Sequence, residues 1–285
     1  VPNIIALEVI DMDKVIIYGT YDFLGFSLCE KLLDEGIQVC GIPLNEDYSE
    51  DFLEEKKLLI GRNANFQEKT LESEDFPFLD ESFEAKTITF ISFYDIYYSR
   101  EDPFKTFEKI VTNICKQHNH HSIGQLICLF PIGFIHDFPK ALITQVNRLK
   151  DQKIQLKNIY IPTVFGPWQP SAFLFQQYLL KEYLNSEPKL DNREFTSDAI
   201  YIKDIIDTII QIMDSGEKVD CLIQSSIQDQ WLKGANHLKV EEIDTKKQEL
   251  EIKSTSESIK IIKVNESISI TEGLDLQKKH LSRLY

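Results

Sequence analysis

The stretch Gly19-Thr20-Tyr21-Asp22-Phe23-Leu24-Gly25 is where this chain comes nearest to a recognisable piece of chemistry. It follows an apolar run at 15–18 and opens a helical pattern, so it reads as a strand–turn–helix junction. A glycine-bearing turn of that kind aims free backbone N–H groups, and the positive end of a helix, at a phosphate or pyrophosphate. Gly19 permits the tight turn, and Gly25 lets the helix lie close on the sheet. Asp22 occupies the middle point, where a side chain obstructs close backbone approach and a carboxylate repels an anion. A second element is missing. An acid at the end of the following strand would hold the ribose of a dinucleotide. That strand here reads VCGIPLNED, with Pro43 near the expected place and Glu46 and Asp47 slightly later.

The other chemistry-bearing residues are scattered. Cys29, Cys40, Cys115, Cys128 and Cys221 show no Cys-x-x-Cys spacing, which suits free thiols buried in a reducing compartment. His118, His120 and His121 cluster near Cys115, but a polar loop accounts for them more simply than a metal site, and no metal is expected. The net charge is −15, and six acids fall between Glu46 and Glu55 with no base among them. Such a field opposes nucleic-acid backbones and anionic membranes, while a small anion can still be held locally by backbone N–H groups. The first residues lack the basic, apolar, small-residue order of a signal peptide. The longest uncharged stretch, 122–135, is too short to span a bilayer and contains Pro131 and Gly133. A cytoplasmic location is expected, with neither nucleic acid nor membrane as partner.

The elements that must position these residues follow from hydrophobic patterning. Short apolar runs at 15–18, 39–42, 58–60, 87–93, 126–130 and 159–161 are strand-length and continuous, as in a parallel sheet buried on both faces. Between them, Leu24, Leu28 and Leu32 form one helical stripe. Phe104, Phe107, Val111 and Ile114 form a second after Asp102-Pro103, and Leu142, Val146 and Leu149 a third after Pro139. Alternation of this kind predicts an α/β fold, a Rossmann-like doubly wound parallel sheet. After Phe165 the character changes: GPWQP breaks the chain, a helix is expected over 171–184, and AIYI leads into the helical KDIIDTIIQIMD. A Rossmann-like domain over 1–166, its sheet completed by about 195–225, is therefore expected beside a smaller, interleaved C-terminal α/β unit of 167–194 and 226–285.

Taken in order, several segments resemble the extended short-chain dehydrogenase/reductase superfamily, in particular its NAD-dependent epimerase/dehydratase group acting on nucleotide sugars. VIIYGTYDFLGFSLCEKLLDEGIQVCGI resembles the first βαβ unit, and EDPFKTFEKIVTNICK the helix after the fourth strand. IYIPTVFGPWQP resembles the strand leading into Val-Tyr-Gly-Pro. SDAIYIKDIIDTIIQIMD resembles Arg-Asp-Phe-Ile-Tyr-Val-Asp-Asp, and SITEGLDLQKKHLSRLY the closing helix. The resemblance covers nearly the whole chain and implies NAD or NADP as cofactor and a nucleotide or nucleotide-sugar ligand. It also implies homodimerisation through helices near 104–116 and 140–150.

It implies a catalytic Tyr-x-x-x-Lys pair as well, and here the chain departs. None of the eleven tyrosines is followed four residues later by lysine. In the family the lysine and the nicotinamide charge lower the tyrosine pKa so that a phenolate accepts a proton as hydride moves. The best positional match is HDFPK, with His136 in place of tyrosine and Lys140 retained, while Phe130 and Pro131 stand near the expected hydroxyls. An imidazole can serve as acid or base near neutral pH. Among the family's substrate positions, Thr163 falls near the usual asparagine, Arg193 suits a diphosphate, and Trp168 suits stacking on a base. Two readings follow. The first is a catalytically impaired protein, a pseudoenzyme, that binds a nucleotide or nucleotide sugar or acts as a scaffold. The second is an active epimerase, dehydratase or reductase using His136 and Lys140. Three separate losses, in the loop, the ribose acid and the tyrosine, favour the first.

Overall fold

The computed structural model describes residues 13–44, 52–71, 87–118, 124–184, 187–215, 218–240 and 259–285. Glu46, Asp47, His120 and His121 lie outside them. The first half alternates β1 (Lys14–Tyr18), α1 (Phe23–Asp34), β2 (Gln38–Ile42), α2 (Leu53–Ile60), β3 (Phe66–Glu68), β4 (Thr87–Ser92), α3 (Phe93–Ser99) and α4 (Pro103–His118). Then come β5 (Gln125–Pro131), a 3-10 turn (Ile132–Ile135), α5 (Lys140–Asp151), β6 (Gln155–Ile161), β7 (Thr163–Phe165) and α6 (Leu174–Leu180). The chain continues through β8 (Ala199–Tyr201), α7 (Ile202–Asp214), β9 (Cys221–Ser225), α8 (Gln230–His237), β10 (Lys260–Val264) and α9 (Ile270–Leu281).

Eight strands form one parallel sheet in the order β10-β9-β6-β5-β4-β1-β2-β3. The continuous apolar runs earn this place because both faces are covered. Val15 and Ile17 pack toward α1 and α7, while Ile16 and Tyr18 pack toward α4 and α5. The strand order reverses at β1, which lies between β2 and β4, so the crevice beyond the carboxyl ends of β1 and β4 is where such a sheet binds ligands. A second, two-stranded parallel sheet of β7 and β8 joins α6, α8 and α9 around Phe165, Phe175, Trp231 and Leu274.

Three expectations are corrected. The run 58–60 is the last turn of helix α2; its neighbours Glu54, Glu55, Lys56 and Lys57 suit a helix, Leu58 and Leu59 face solvent, and β3 pairs with β2 instead. The helix expected over 171–184 is confined to Leu174–Leu180. The sheet also runs beyond 195–225, since its edge strand β10 comes from the stretch assigned to the smaller unit. Among the described residues, no helix is long and apolar enough to cross a membrane. Ile143 is the large apolar side chain exposed on α4 or α5 there.

Candidate functional site

The β1–α1 turn is built as its glycines demand. Gly19 adopts φ +85° and donates its N–H to the Ile42 carbonyl at 2.9 Å. A Cβ on Gly25 would lie 2.0 Å from the Gly19 carbonyl oxygen, so only glycine lets α1 start this close to the turn. Thr20 is buried, its hydroxyl donating to the Ile17 carbonyl at 2.9 Å, and the Tyr21 hydroxyl donates to Glu68.

Asp22 precedes α1 in the N-cap position, yet its side chain makes no capping bond. Its carboxylate folds back over the turn instead, with Oδ2 2.6 Å from where a Gly19 Cβ would sit. Its Oδ1 accepts from the Arg100 guanidinium, and both side chains are buried, 4% and 7% exposed. The capping is done by a residue from far along the chain. Asp95 Oδ2 accepts from Leu24 N at 2.9 Å and Gly25 N at 3.1 Å, the amides a helix start turns toward an anion. Asp95 reaches them because α3 follows β4 without a loop, with Ser92 Oγ accepting from Asp95 N at 3.1 Å as its cap. Burial pushes the Asp95 carboxyl up to about 7, against the opposing pull of the Gly25, Ser92 and Leu24 hydrogen bonds and the Lys56 charge. Its Oδ1 has no hydrogen-bond partner among the described residues.

A pyrophosphate does not fit these residues. The two amides at the start of α1 are bonded to Asp95, the Asp22 carboxylate covers Gly19, and among the described residues β2 runs into Pro43 and Leu44 without an acid.

A cleft of about 480 Å³ opens beside the turn. Tyr21, Asp22 and Phe23 line it, as do Trp168 and Arg193 from the sequence expectation. Trp168, held at φ +66°, lies 4.2 Å from the His280 ring and 5.7 Å from Phe26. Lys56, buried, donates to the Tyr21 carbonyl at 2.6 Å and sits 5.5 Å from the Trp168 ring. Burial, with Arg283 and Lys56 nearby, pushes His280 down to about 4, leaving its ring neutral at neutral pH. Arg193 is bound by Asp191 at 2.6 Å and donates to the Tyr97 carbonyl at 2.6 Å. Thr163 is buried outside this cleft lining, donating to the Phe195 carbonyl at 2.7 Å.

The candidate catalytic pair lies elsewhere. His136 follows the 3-10 turn and Lys140 opens α5; both are exposed and neither lines the cleft. The carboxyl ends of β4 and β5, where the resemblance puts the reacting groups, are filled by packed rings. Phe93 and Phe130 lie 5.6 Å apart, Tyr97 and Phe134 5.0 Å, Phe130 and Phe138 5.1 Å. The nearby phenols run opposite to catalytic need. Burial raises Tyr94 and Tyr98 well above the ordinary range, and their hydroxyls are engaged with Val164 N and the Arg193 carbonyl.

Sequence reasoning missed Lys56, Asp95, Arg100 and His280. Asp95 and Arg100 had one available signal, their place just past the central strand β4 at the crevice. Nothing local marked Lys56 or His280. Among the described residues, no group of three or more His, Cys, Asp or Glu is placed to hold a metal ion.

No family model matches the chain. Protein CapI of Staphylococcus aureus is 24% identical over 233 residues, 70% of this chain and 69% of that protein. The uncharacterized protein YjaV of Bacillus subtilis is 36% identical over 59 residues, so this chain spans only 32% of its length, and 20% of its own. Among solved structures, the UDP-glucuronic acid 4-epimerase of Bacillus cereus, in complex with UDP-glucuronic acid and NAD, superposes with a TM-score of 0.65 at 14% identity. That match covers 95% of this chain and 100% of the other. The dTDP-glucose 4,6-dehydratase of Bacillus anthracis, in complex with NAD, gives 0.67 at 10% identity, over 95% and 97% of the two chains. The chain thus shares its fold with these NAD-bound structures. Its structural neighbours are NAD-dependent nucleotide-sugar epimerases and dehydratases.

Proposed function

We propose that this protein is a catalytically impaired relative of the nucleotide-sugar epimerases and dehydratases, a binding or scaffold protein. Its cleft holds a ligand from the nucleotide and nucleotide-sugar class without transforming it through NAD or NADP. One observation carries the reading: the Leu24 and Gly25 amides, which a cofactor pyrophosphate would require, are bonded to the protein's own Asp95. The displacement of His136 and Lys140 from the cleft and the aromatic filling beyond β4 and β5 support it. The two-part organisation belongs to the same reading, with the cleft between the main sheet's crevice and the α6–α8–α9 unit. So does a cytoplasmic location, which the free thiols suit, four of them buried.

Titration with NADH and NADPH, followed by fluorescence and calorimetry, tests it. No saturable binding is expected, and tight saturable binding would overturn the reading. A homodimer through α4 and α5 would rest on Ile143 amid polar and charged residues. Self-association by that route is expected to be weak, and sedimentation showing a stable dimer would reverse this expectation.

A further inference from the structure

Three glutamines tie one wall of the cleft together, and the backbone dictates which way each amide faces. The Gly166 N–H can only donate, so the Gln277 atom that accepts from it at 3.0 Å is Oε1. Gln277 Nε2 therefore donates, to Gln169 Oε1 at 2.8 Å and to Gln176 Oε1 at 2.7 Å, which uses both of its hydrogens. The far end agrees, because Gln169 Nε2 donates at 2.7 Å to the Val164 carbonyl, which can only accept. All three side chains are buried, and Gln176 is 5% exposed. Gln277 is satisfied at both ends, but Gln176 is not. Its oxygen is bound, while its Nε2 has no partner among the described residues and is not sealed from solvent. Gln176 lines the cleft, so the network turns an N–H donor, and not an acceptor, toward the ligand.

The surroundings specify what that donor meets. Leu180 stands one turn beyond Gln176 on α6, His280 and Leu281 one turn beyond Gln277 on α9, and all three line the cleft. The His280 ring is neutral at neutral pH and lies 4.2 Å from the Trp168 ring. These residues bring no charge to offset a phosphate, but apolar surface and an indole suit a planar, uncharged base. A fixed amide donor beside such a base pairs with a carbonyl oxygen. Uracil and guanine present one at the edge of the ring, whereas adenine presents an amino donor and ring nitrogens. We infer that Gln176, oriented by Gln277, determines specificity in the cleft: it selects nucleotides whose base carries a ring carbonyl and discriminates against adenine. This rests on the proposed function, in that the cleft holds a nucleotide or nucleotide sugar. The discrimination arises because the wrong base leaves a buried donor unpaired or sets a second donor against it.

Calorimetric titration of the wild-type protein with UDP, GDP and ADP tests the inference, since the three share a ribose and a diphosphate and differ in the base. UDP is expected to bind at least tenfold more tightly than ADP, and so is GDP, whose purine matches that of ADP in size. GDP binding no more tightly than ADP would make ring size the selector and overturn the inference. Equal affinities for all three, or no saturable binding by any, would overturn it too. Gln176→Met removes the donor at nearly constant shape and is expected to bring UDP and GDP down to the level of ADP. Gln277→Met frees the Gln176 amide to turn either end to the cleft and is expected to narrow the UDP-to-ADP ratio several-fold. An unchanged ratio in either folded variant would overturn the assignment, and the wild-type comparison decides should a variant fail to fold. Saturable NADH binding would instead overturn the proposed function, so the two failures are distinguishable.

Discussion

Two helices of this protein receive a buried carboxylate at their amino ends from a distant part of the chain, and the two ends differ in what is left over. At α6, Glu194 accepts from Leu174 N at 2.9 Å through one oxygen and from the Trp231 indole N–H at 2.8 Å through the other. At α1, Asp95 spends one oxygen on two amides and leaves the other without a partner among the described residues. Burial raises both acids to about 7. The α6 end is a finished structural tie within a core that includes Trp231. The α1 end lies at the crevice beyond the carboxyl ends of β1 and β4, and there the carboxylate occupies the Leu24 and Gly25 amides. Similar devices thus stitch one region together and close another.

The comparison breaks first at Glu194. Glu194→Ala leaves the Trp231 and Leu174 N–H groups buried without acceptors and is expected to cost ~3 kcal/mol of stability by urea denaturation. A loss as small as that of a surface substitution would show that the tie is not one. Next comes the double variant Asp22→Gly with Asp95→Ala, which uncovers Gly19 and frees the α1 amides. Its affinity for inorganic pyrophosphate, measured by calorimetry, is expected to rise about tenfold, as anion sites at helix starts allow. Asp22→Gly alone is expected to change little, because Asp95 still holds both amides; a large gain there would assign the obstruction to Asp22 by itself. Asp95→Ala alone is expected to cost ~1 kcal/mol, the ordinary worth of a helix cap.

A pH series sharpens the parallel between the ends. Each acid binds its proton more tightly in the folded than in the unfolded chain. Its favourable contribution is therefore complete below about pH 4, the unfolded range, and is lost as pH rises through about 7. Asp95→Asn and Glu194→Gln are each expected to flatten the fall in stability between pH 4 and 8; unchanged slopes would place the two carboxyls in wetter surroundings. The smallest effect is expected at His136→Ala and Lys140→Ala, each within ~0.5 kcal/mol of wild type. Loss of a detected turnover in His136→Ala would revive the enzyme reading.

Much of the sheet was legible because a strand covered on both faces must be apolar throughout, as in 126–130 and 159–161. Three residues, Leu58 to Ile60, were too few to tell a strand from the end of a helix, and the flanking Glu and Lys decided it. In the site, the glycines and Asp22 could be read because their effect is local to one turn. Trp168 and Arg193, singled out at breaks in the chain, both line the cleft. Asp95 could not, since its partners are about 70 residues away in sequence. Its meaning exists only once β4 lies beside β1.

A dissolved anion occupies a binding site in proportion to how much of it is present. The carboxylate at the start of α1 belongs to Asp95 of the same folded chain, so the fold holds it against the Leu24 and Gly25 amides at every dilution. Whatever the surrounding metabolite levels, that helix start keeps its own acceptor.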